Sequence, residues 1–452
     1  METFDVAVIG LGPGGEHVAG TLAERGLRVL AVDRGLVGGE CPYWGCVPTK
    51  MMVRAAAALA EARRVPDLAG STGDVRPDWS RVARRIREEA TDDWDDTAAV
   101  ERLTGKGGSF VRGAGRLVGH RRVEVDGTAY EVTRGVVVAT GTQPAIPPIE
   151  GLDQVPYWTN HDVVEAPELP GSIIVLGGGA IGCELAQVLL RFGVRVTVVE
   201  AAERLLAMEE PEAGDALRAV IEAEGATIRT GVAARRVSAG ADGVRVELDG
   251  GDVLTAERLL VAVGRRTDLG AVGLDVVGVD TGARAVPVDD RCRVADGVWA
   301  VGDITGKGAF THVSMYQAGI VIRDVLGEPG PAADYRALPR VTFTDPEVGA
   351  VGMTERQARE AGVRVLVGST EVASTSRGWI HKLGNEGMIK LVADADRSVL
   401  VGATTMGPNG GEVLGALSVA VHGAVPLETL RSMIYAYPTF HRGIEDALRA
   451  LA

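Results

Sequence analysis

The chain has 452 residues, too many for one compact core, so two or three domains are expected. Its formal net charge of −14 argues against a nucleic-acid or anionic-membrane partner, and no apolar run approaches the roughly 18 residues a membrane span needs. The N-terminal residues Met1 to Asp5 carry no basic stretch and lead straight into an apolar one, which reads as a strand of a soluble, cytoplasmic protein. In that compartment a disulfide among Cys41, Cys46, Cys183 and Cys292 is expected to be catalytic rather than structural.

In chain order, the first predicted element is a β-branched strand from Phe4 to Ile9. It is followed by Gly10-Leu11-Gly12-Pro13-Gly14-Gly15, with glycines at the first, third and sixth places. A helix to about Gly26 and a strand from Arg28 to Val32 follow. That strand ends at Asp33, about 20 residues on, where an acidic side chain can meet a ribose. A tight turn, a close backbone and a helix N-terminus together make a pyrophosphate cradle.

Next come Cys41 and Cys46, separated by Pro42-Tyr43-Trp44-Gly45. Five residues of regular helix rise about 7.5 Å, whereas a disulfide needs Cα atoms within about 7 Å. Cys41 is therefore expected in a distorted first helical turn, a position Pro42 tolerates. A helix N-terminus lowers a thiol pKa. The pair reads as redox-active in preference to two structural thiols. A zinc site would need two further ligands, and none is visible nearby. The charge-dense stretch from Arg81 to Arg102 reads as a solvated helix face, packed down by Trp79 and Trp94.

The first pattern then recurs. A strand from Ser172 to Leu176 leads into Gly177-Gly178-Gly179-Ala180-Ile181-Gly182. A helix runs to about Phe192, and the next strand, from Arg195 to Val199, ends at Glu200. Two such units mean two dinucleotides, the arrangement by which a flavin meets a nicotinamide. Glu200 accepts from a ribose 2′-OH and repels a 2′-phosphate, and the next arginine is only at 204. NADH is therefore favoured over NADPH. Cys183 reads as buried packing, Cys292 as a bystander, and His312 as a helix-start residue.

With both glycine turns and the Cys-x4-Cys segment in place, the chain resembles the pyridine nucleotide–disulfide oxidoreductases over essentially its whole length. This is the flavoprotein family of dihydrolipoamide dehydrogenase and of glutathione, mycothione and mercuric reductases. Four further segments are similar to family motifs: Val136 to Gly141, Val263 to Arg266, Val298 to Asp303 and Phe343 to Gly349. The resemblance implies an α/β chain with two Rossmann-like dinucleotide-binding domains and an α+β C-terminal dimerisation domain. Its FAD domain would take residues 1–149 and 272–333, its nicotinamide domain 150–271 and its interface domain 334–452. FAD would lie on Gly10, Gly12, Gly14, Gly15, Asp33, Thr140, Gly141 and Asp303. NADH would lie on Gly177, Gly179, Gly182, Glu200 and Gly264. Lys50 and Glu184 would pair beside the flavin, no metal site is implied, and a homodimer would share its active sites. Reducing equivalents would pass from NADH through flavin to a Cys41–Cys46 disulfide, and on to a protein or small-molecule disulfide, a quinone or another small acceptor.

The C-terminal end departs from the family. Disulfide reductases carry a His-Pro-Thr there, with a glutamate three residues beyond the Thr. In this chain Tyr437 stands for the histidine and Arg442 for the glutamate. A phenol, with pKa near 10, does not shuttle protons at neutral pH as an imidazole near 6.5 does. Losing such help costs about 10²–10⁴-fold. Reduction of glutathione-like, lipoamide-like or mycothiol disulfides is therefore disfavoured, and a quinone or other electrophile becomes a candidate acceptor. Mercury reduction is disfavoured because no cysteine follows Cys292. Two other readings use the same fold: a dithiol-dependent carboxylase or other carbon–carbon bond enzyme, and a flavin-bound redox sensor with little turnover. Tyr43 and Trp44 either shape the acceptor pocket or fill space, and His441 lies one position from a second family variant of the dyad.

Overall fold

A computed structural model describes residues 2–241 and 243–452. The chain falls into two compact units. One comprises residues 1–49, 84–145 and 265–334, and the other 50–83, 146–264 and 335–452.

The first unit is built on a parallel sheet. Glu2–Ile9 lies at its centre, between Val29–Asp33 and Thr128–Val138. Val6, Ala7 and Val8 are fully buried, as expected of a parallel strand covered on both faces. Their side chains alternate. Val6 and Val8 join Leu22, Ile320 and Val321 in one core, while Ala7 and Ile9 join Leu30, Val136 and Val138 in the other. The first core is closed by the helices Pro13–Glu24 and Thr311–Leu326.

In the second unit, Ser172–Leu176 lies between Arg195–Glu200 and Arg258–Val261 in a four-stranded parallel sheet. The same unit holds a five-stranded antiparallel sheet in the order Pro339–Thr342, Glu347–Gly352, Val399–Gly407, Met388–Asp394, Val365–Glu371. Helices Gly410–His422 and Gly443–Arg449 pack on that sheet through Leu414, Leu417, Ile444 and Leu448.

The charged stretch from Arg81 to Arg102 presents exposed helix faces through Arg85, Arg87, Glu89 and Arg102, but it is not one continuous helix. The helix Trp79–Arg85 runs into a π-turn, Ile86–Ala90, and a new helix starts at Thr97. Asp92, Asp93 and Trp94, all at positive φ, break it. Trp79 does anchor its end of the segment. It is buried, stacks edge-on against Phe192 at 5.2 Å and donates its indole N–H to the Ala166 carbonyl. No helix among the described residues is long and apolar enough to cross a membrane.

Candidate active site

The two glycine turns are alike at their first, third and sixth positions. Gly10 has φ +92°, and a Cβ there would lie 2.5 Å from the Ala139 carbonyl oxygen. Gly177 has φ +107°, and its Cβ would lie 2.3 Å from that of Ala262. At the third glycines, Gly15 and Gly182, a Cβ would stand 2.0 Å from the Gly10 and Gly177 oxygens respectively. Those four positions serve close chain packing. At Gly12 and Gly179 a Cβ would meet nothing within 4 Å, so these faces are open at the N-termini of Pro13–Glu24 and Ala180–Arg191. Open backbone at a helix N-terminus fits a dinucleotide pyrophosphate. Gly14 differs, since a Cβ there would strike Ser314 of the helix Thr311–Leu326.

The two carboxylates are also treated alike. Asp33 accepts from the amides of Leu11 (2.6 Å) and Gly35 (2.7 Å), and Glu200 from those of Gly178 (2.5 Å) and Ala202 (2.7 Å). Each oxygen keeps a second lone pair for a ribose hydroxyl.

The cysteine segment departs from the expected distorted first turn. Glu40–Tyr43 forms a one-turn helix of its own, and Cys46 opens a separate 23-residue helix, Cys46–Leu68. Between them the Gly45 amide donates to the Glu40 carbonyl at 2.6 Å. A Cβ at Gly45 would lie 3.0 Å from that oxygen, so glycine lets the chain fold back there without crowding. This break, rather than helical distortion, brings the thiols together. Both are reduced thiols, and the Cys41 thiol is within hydrogen-bonding reach of Cys46. That hydrogen bond, and then burial, push the Cys41 pKa well above the usual thiol range, with the Thr311 hydroxyl pulling the other way. Cys46 Sγ lies 3.6 Å from Thr311 Oγ1, at the start of the helix Thr311–Leu326.

Lys50 follows Cys46 by four residues in the same helix, and its Nζ lies 2.6 Å from Glu184 Oε2. The Glu184 side chain is 8% exposed, and its other oxygen accepts the Phe343 amide at 2.8 Å. Asp303 accepts from the Thr142 hydroxyl at 2.8 Å. Arg265 binds the same hydroxyl (2.8 Å) and the Thr142 carbonyl (2.6 Å), and lies 3.4 Å from Glu40. Burial raises the Asp303 pKa against the pull of Thr142 and Arg265. Thr140 and Gly141 follow the strand Thr128–Val138. Gly141 and Gly264 both have positive φ and open space beside them.

Tyr437 is 68% exposed, with the Arg442 guanidinium 5.5 Å from its ring centre. Arg442 is paired with Glu445 at 2.7 Å. His441 Nε2 lies 3.5 Å from Thr439 Oγ1, and His312 stacks on Phe310 at 5.1 Å. Cys183 and Cys292 are buried, the former donating to the Gly178 carbonyl at 3.2 Å. No group of three or more His, Cys, Asp or Glu among the described residues could hold a metal ion. Sequence reading missed Thr311, Thr142, Arg265 and Phe343 as individual participants. Three of them lay within or beside segments already singled out.

Residues 4–318 match the family model described as pyridine nucleotide-disulphide oxidoreductase, and residues 338–448 match that family's dimerisation domain. Dihydrolipoyl dehydrogenase of Chlorobaculum tepidum is 33% identical, with 98% of this chain and 96% of the relative covered. Mercuric reductase of Streptomyces lividans is 32% identical, with 98% and 95% covered. The solved HOCl-induced flavoprotein disulfide reductase RclA from Escherichia coli superposes with a TM-score of 0.86 at 27% identity, over 98% of this chain and 99% of that one.

Proposed function

We propose that this chain, which belongs to the pyridine nucleotide-disulphide oxidoreductase family, is an FAD-dependent NADH oxidoreductase working through a Cys41–Cys46 redox pair. The observation that carries this reading is the contact between the two thiols, with Cys46 heading a 23-residue helix and facing the Thr311 hydroxyl.

FAD is assigned to residues 1–149 and 272–333, on Gly10, Gly12, Gly14, Gly15, Asp33, Thr140, Gly141 and Asp303. NADH is assigned to residues 150–271, on Gly177, Gly179, Gly182, Glu200 and Gly264. The open faces at Gly12 and Gly179 support both assignments. When bound, the flavin supplies two-electron transfer between nicotinamide and disulfide.

The chain's own residues do the rest. A thiolate at Cys46 is stabilised by two helix N-termini and the Thr311 hydroxyl. Cys41 is the outer, exchanging thiol. Lys50 and Glu184 hold a fixed charge pair. Residues 334–452 join two copies as a homodimer, so that each active site draws Tyr437 from the other copy. The match to the dimerisation domain supports this arrangement. Tyr437 and Arg442 offer no neutral-pH proton shuttle, which favours a quinone or other small electrophile over a small disulfide as acceptor.

Anaerobic reduction with NADH tests the cysteine assignment. A long-wavelength thiolate-to-flavin absorption band is expected. Cys46→Ser should abolish it, and Cys41→Ser should show it without added reductant. Identical spectra in native enzyme and both variants would remove the cysteines from the reaction.

A further inference from the structure

We infer that Phe343 is a positioning residue for the Lys50–Glu184 ion pair: its ring seats the lysine ammonium while its amide fixes the glutamate. The inference rests on the proposed role of that pair and adds a third residue to it. Glu184 uses one carboxylate oxygen for Lys50 (2.6 Å) and the other for the Phe343 amide (2.8 Å), so the carboxylate has both ends tied. Lys50 Nζ lies 4.6 Å from the centre of the Phe343 ring. The ring face adds a non-ionic point of attraction to the ion pair and leaves the charge in place.

The segment carrying Phe343 is itself registered on the helix Ala180–Arg191. The Asp345 amide donates to Gln187 Oε1 (2.7 Å), and Gln187 Nε2 donates to the Asp345 carbonyl (2.8 Å). Arg191 reaches the Asp345 carboxylate at 2.9 Å and is itself held by Glu224 at 2.6 Å. Glu184, Gln187 and Arg191 stand three and four residues apart in turn, on one face of that helix. Gln187 and Arg191 are sufficient to dock the segment, and neither contact needs an aromatic ring at 343. The ring's place over the ammonium is the additional feature, and it is what makes Phe343 more than a docking contact.

The experiment uses the FAD-loaded enzyme labelled with [13Cε]lysine, whose five lysines give a countable spectrum. The Lys50 signal, identified by its loss in Lys50→Met, should lie upfield of the other four because of the ring current. Phe343→Leu should move it back among them, and Phe343→Tyr should leave it upfield. In rapid mixing with NADH, Phe343→Leu should slow flavin reduction about tenfold, a cost expected of a displaced group near the reacting atoms, and Phe343→Tyr should restore the native rate. In a Lys50→Met background, Phe343→Leu should have no further effect. A Lys50 signal unmoved by Phe343→Leu overturns the inference, as does an equal slowing in the Lys50→Met background. A Lys50→Met enzyme reduced as fast as native contradicts instead the role proposed for the ion pair. The spectrum distinguishes that failure, because the shift caused by Phe343→Leu reports on the ring contact and not on the rate.

Discussion

Glu200 closes the second glycine-rich turn through two amides, at Gly178 and Ala202, and so its carboxylate is held rather than free to swing aside. A 2′-phosphate at the ribose would meet that fixed negative charge. Arg204, the nearest following arginine, reaches back to the Ala207 carbonyl of its own loop. Steady-state rates should show kcat/KM at least about tenfold higher for NADH than for NADPH, equivalent to about 1.4 kcal/mol. A preference for NADPH would contradict this account of the site. At the other end of the chain, Tyr437→His with Arg442→Glu should raise turnover of a small disulfide by up to about 10²-fold, and Tyr437→His alone by less. Because Arg442 is paired with Glu445, the double variant places two carboxylates three residues apart, so a small loss of stability should accompany the gain. Native turnover of a small disulfide at the speed of flavin reduction, followed by rapid mixing, would show that another group supplies the proton.

The two glycine-rich turns give a contrast at the level of the strand–turn–helix unit. Gly179→Ala adds a methyl where nothing lies within 4 Å, whereas Gly182→Ala drives one into the Gly177 carbonyl oxygen. The first variant should keep the native Tm and raise KM for NADH severalfold. The second should lower Tm by several degrees, the cost of overpacking being about 1–3 kcal/mol. If both changes left KM alone, Gly179 would not face the nucleotide. The turns were legible in the sequence because the glycine spacing, the flanking strands and the terminal acid are all local. The cysteine geometry was legible only in part. Spacing showed that Cys41 and Cys46 could not share a regular helix. It did not show that the break falls at Trp44 and Gly45, which depends on the Gly45 amide finding the Glu40 carbonyl. The segment beyond Trp79 was legible to the same partial degree, since its exposed charges do lie on helices. Its charge pattern suits a helix, but Asp92, Asp93 and Trp94 all take positive φ.

On the scale of the whole chain, the partners that sequence could not supply are those brought together from far apart. Phe343 is 159 residues from Glu184, and Lys390 is 180 from Glu210. No local pattern marks such pairs, although each partner sits in a readable element. Lys390 shows what they contribute. Its side chain is 4% exposed, and its ammonium meets Glu210 at 3.0 Å, Glu212 at 2.7 Å and Glu355 at 3.0 Å. Burial opposes the charge, but hydrogen bonds to Glu212, Glu210 and Glu355 hold its pKa above the ordinary lysine range. A raised folded-state pKa contributes stability that is complete below the unfolded lysine value and is lost as pH rises through the folded one. This contribution should therefore persist through neutral pH and disappear only in strong alkali. Lys390→Met should cost about 3 kcal/mol at neutral pH in denaturant unfolding, because it leaves Glu210 buried without its cation. An unchanged midpoint would mean that the cluster is not a net support of the second unit.

Whether Cys41 and Cys46 form the pair through which electrons leave the enzyme is decided by counting thiols in denaturant before and after anaerobic reduction with one equivalent of NADH. Two titratable thiols are expected in the oxidised enzyme, Cys183 and Cys292, and four after NADH, with no increase in the Cys46→Ser variant. Four thiols at both stages, or an oxidised enzyme to which NADH adds none, would contradict it.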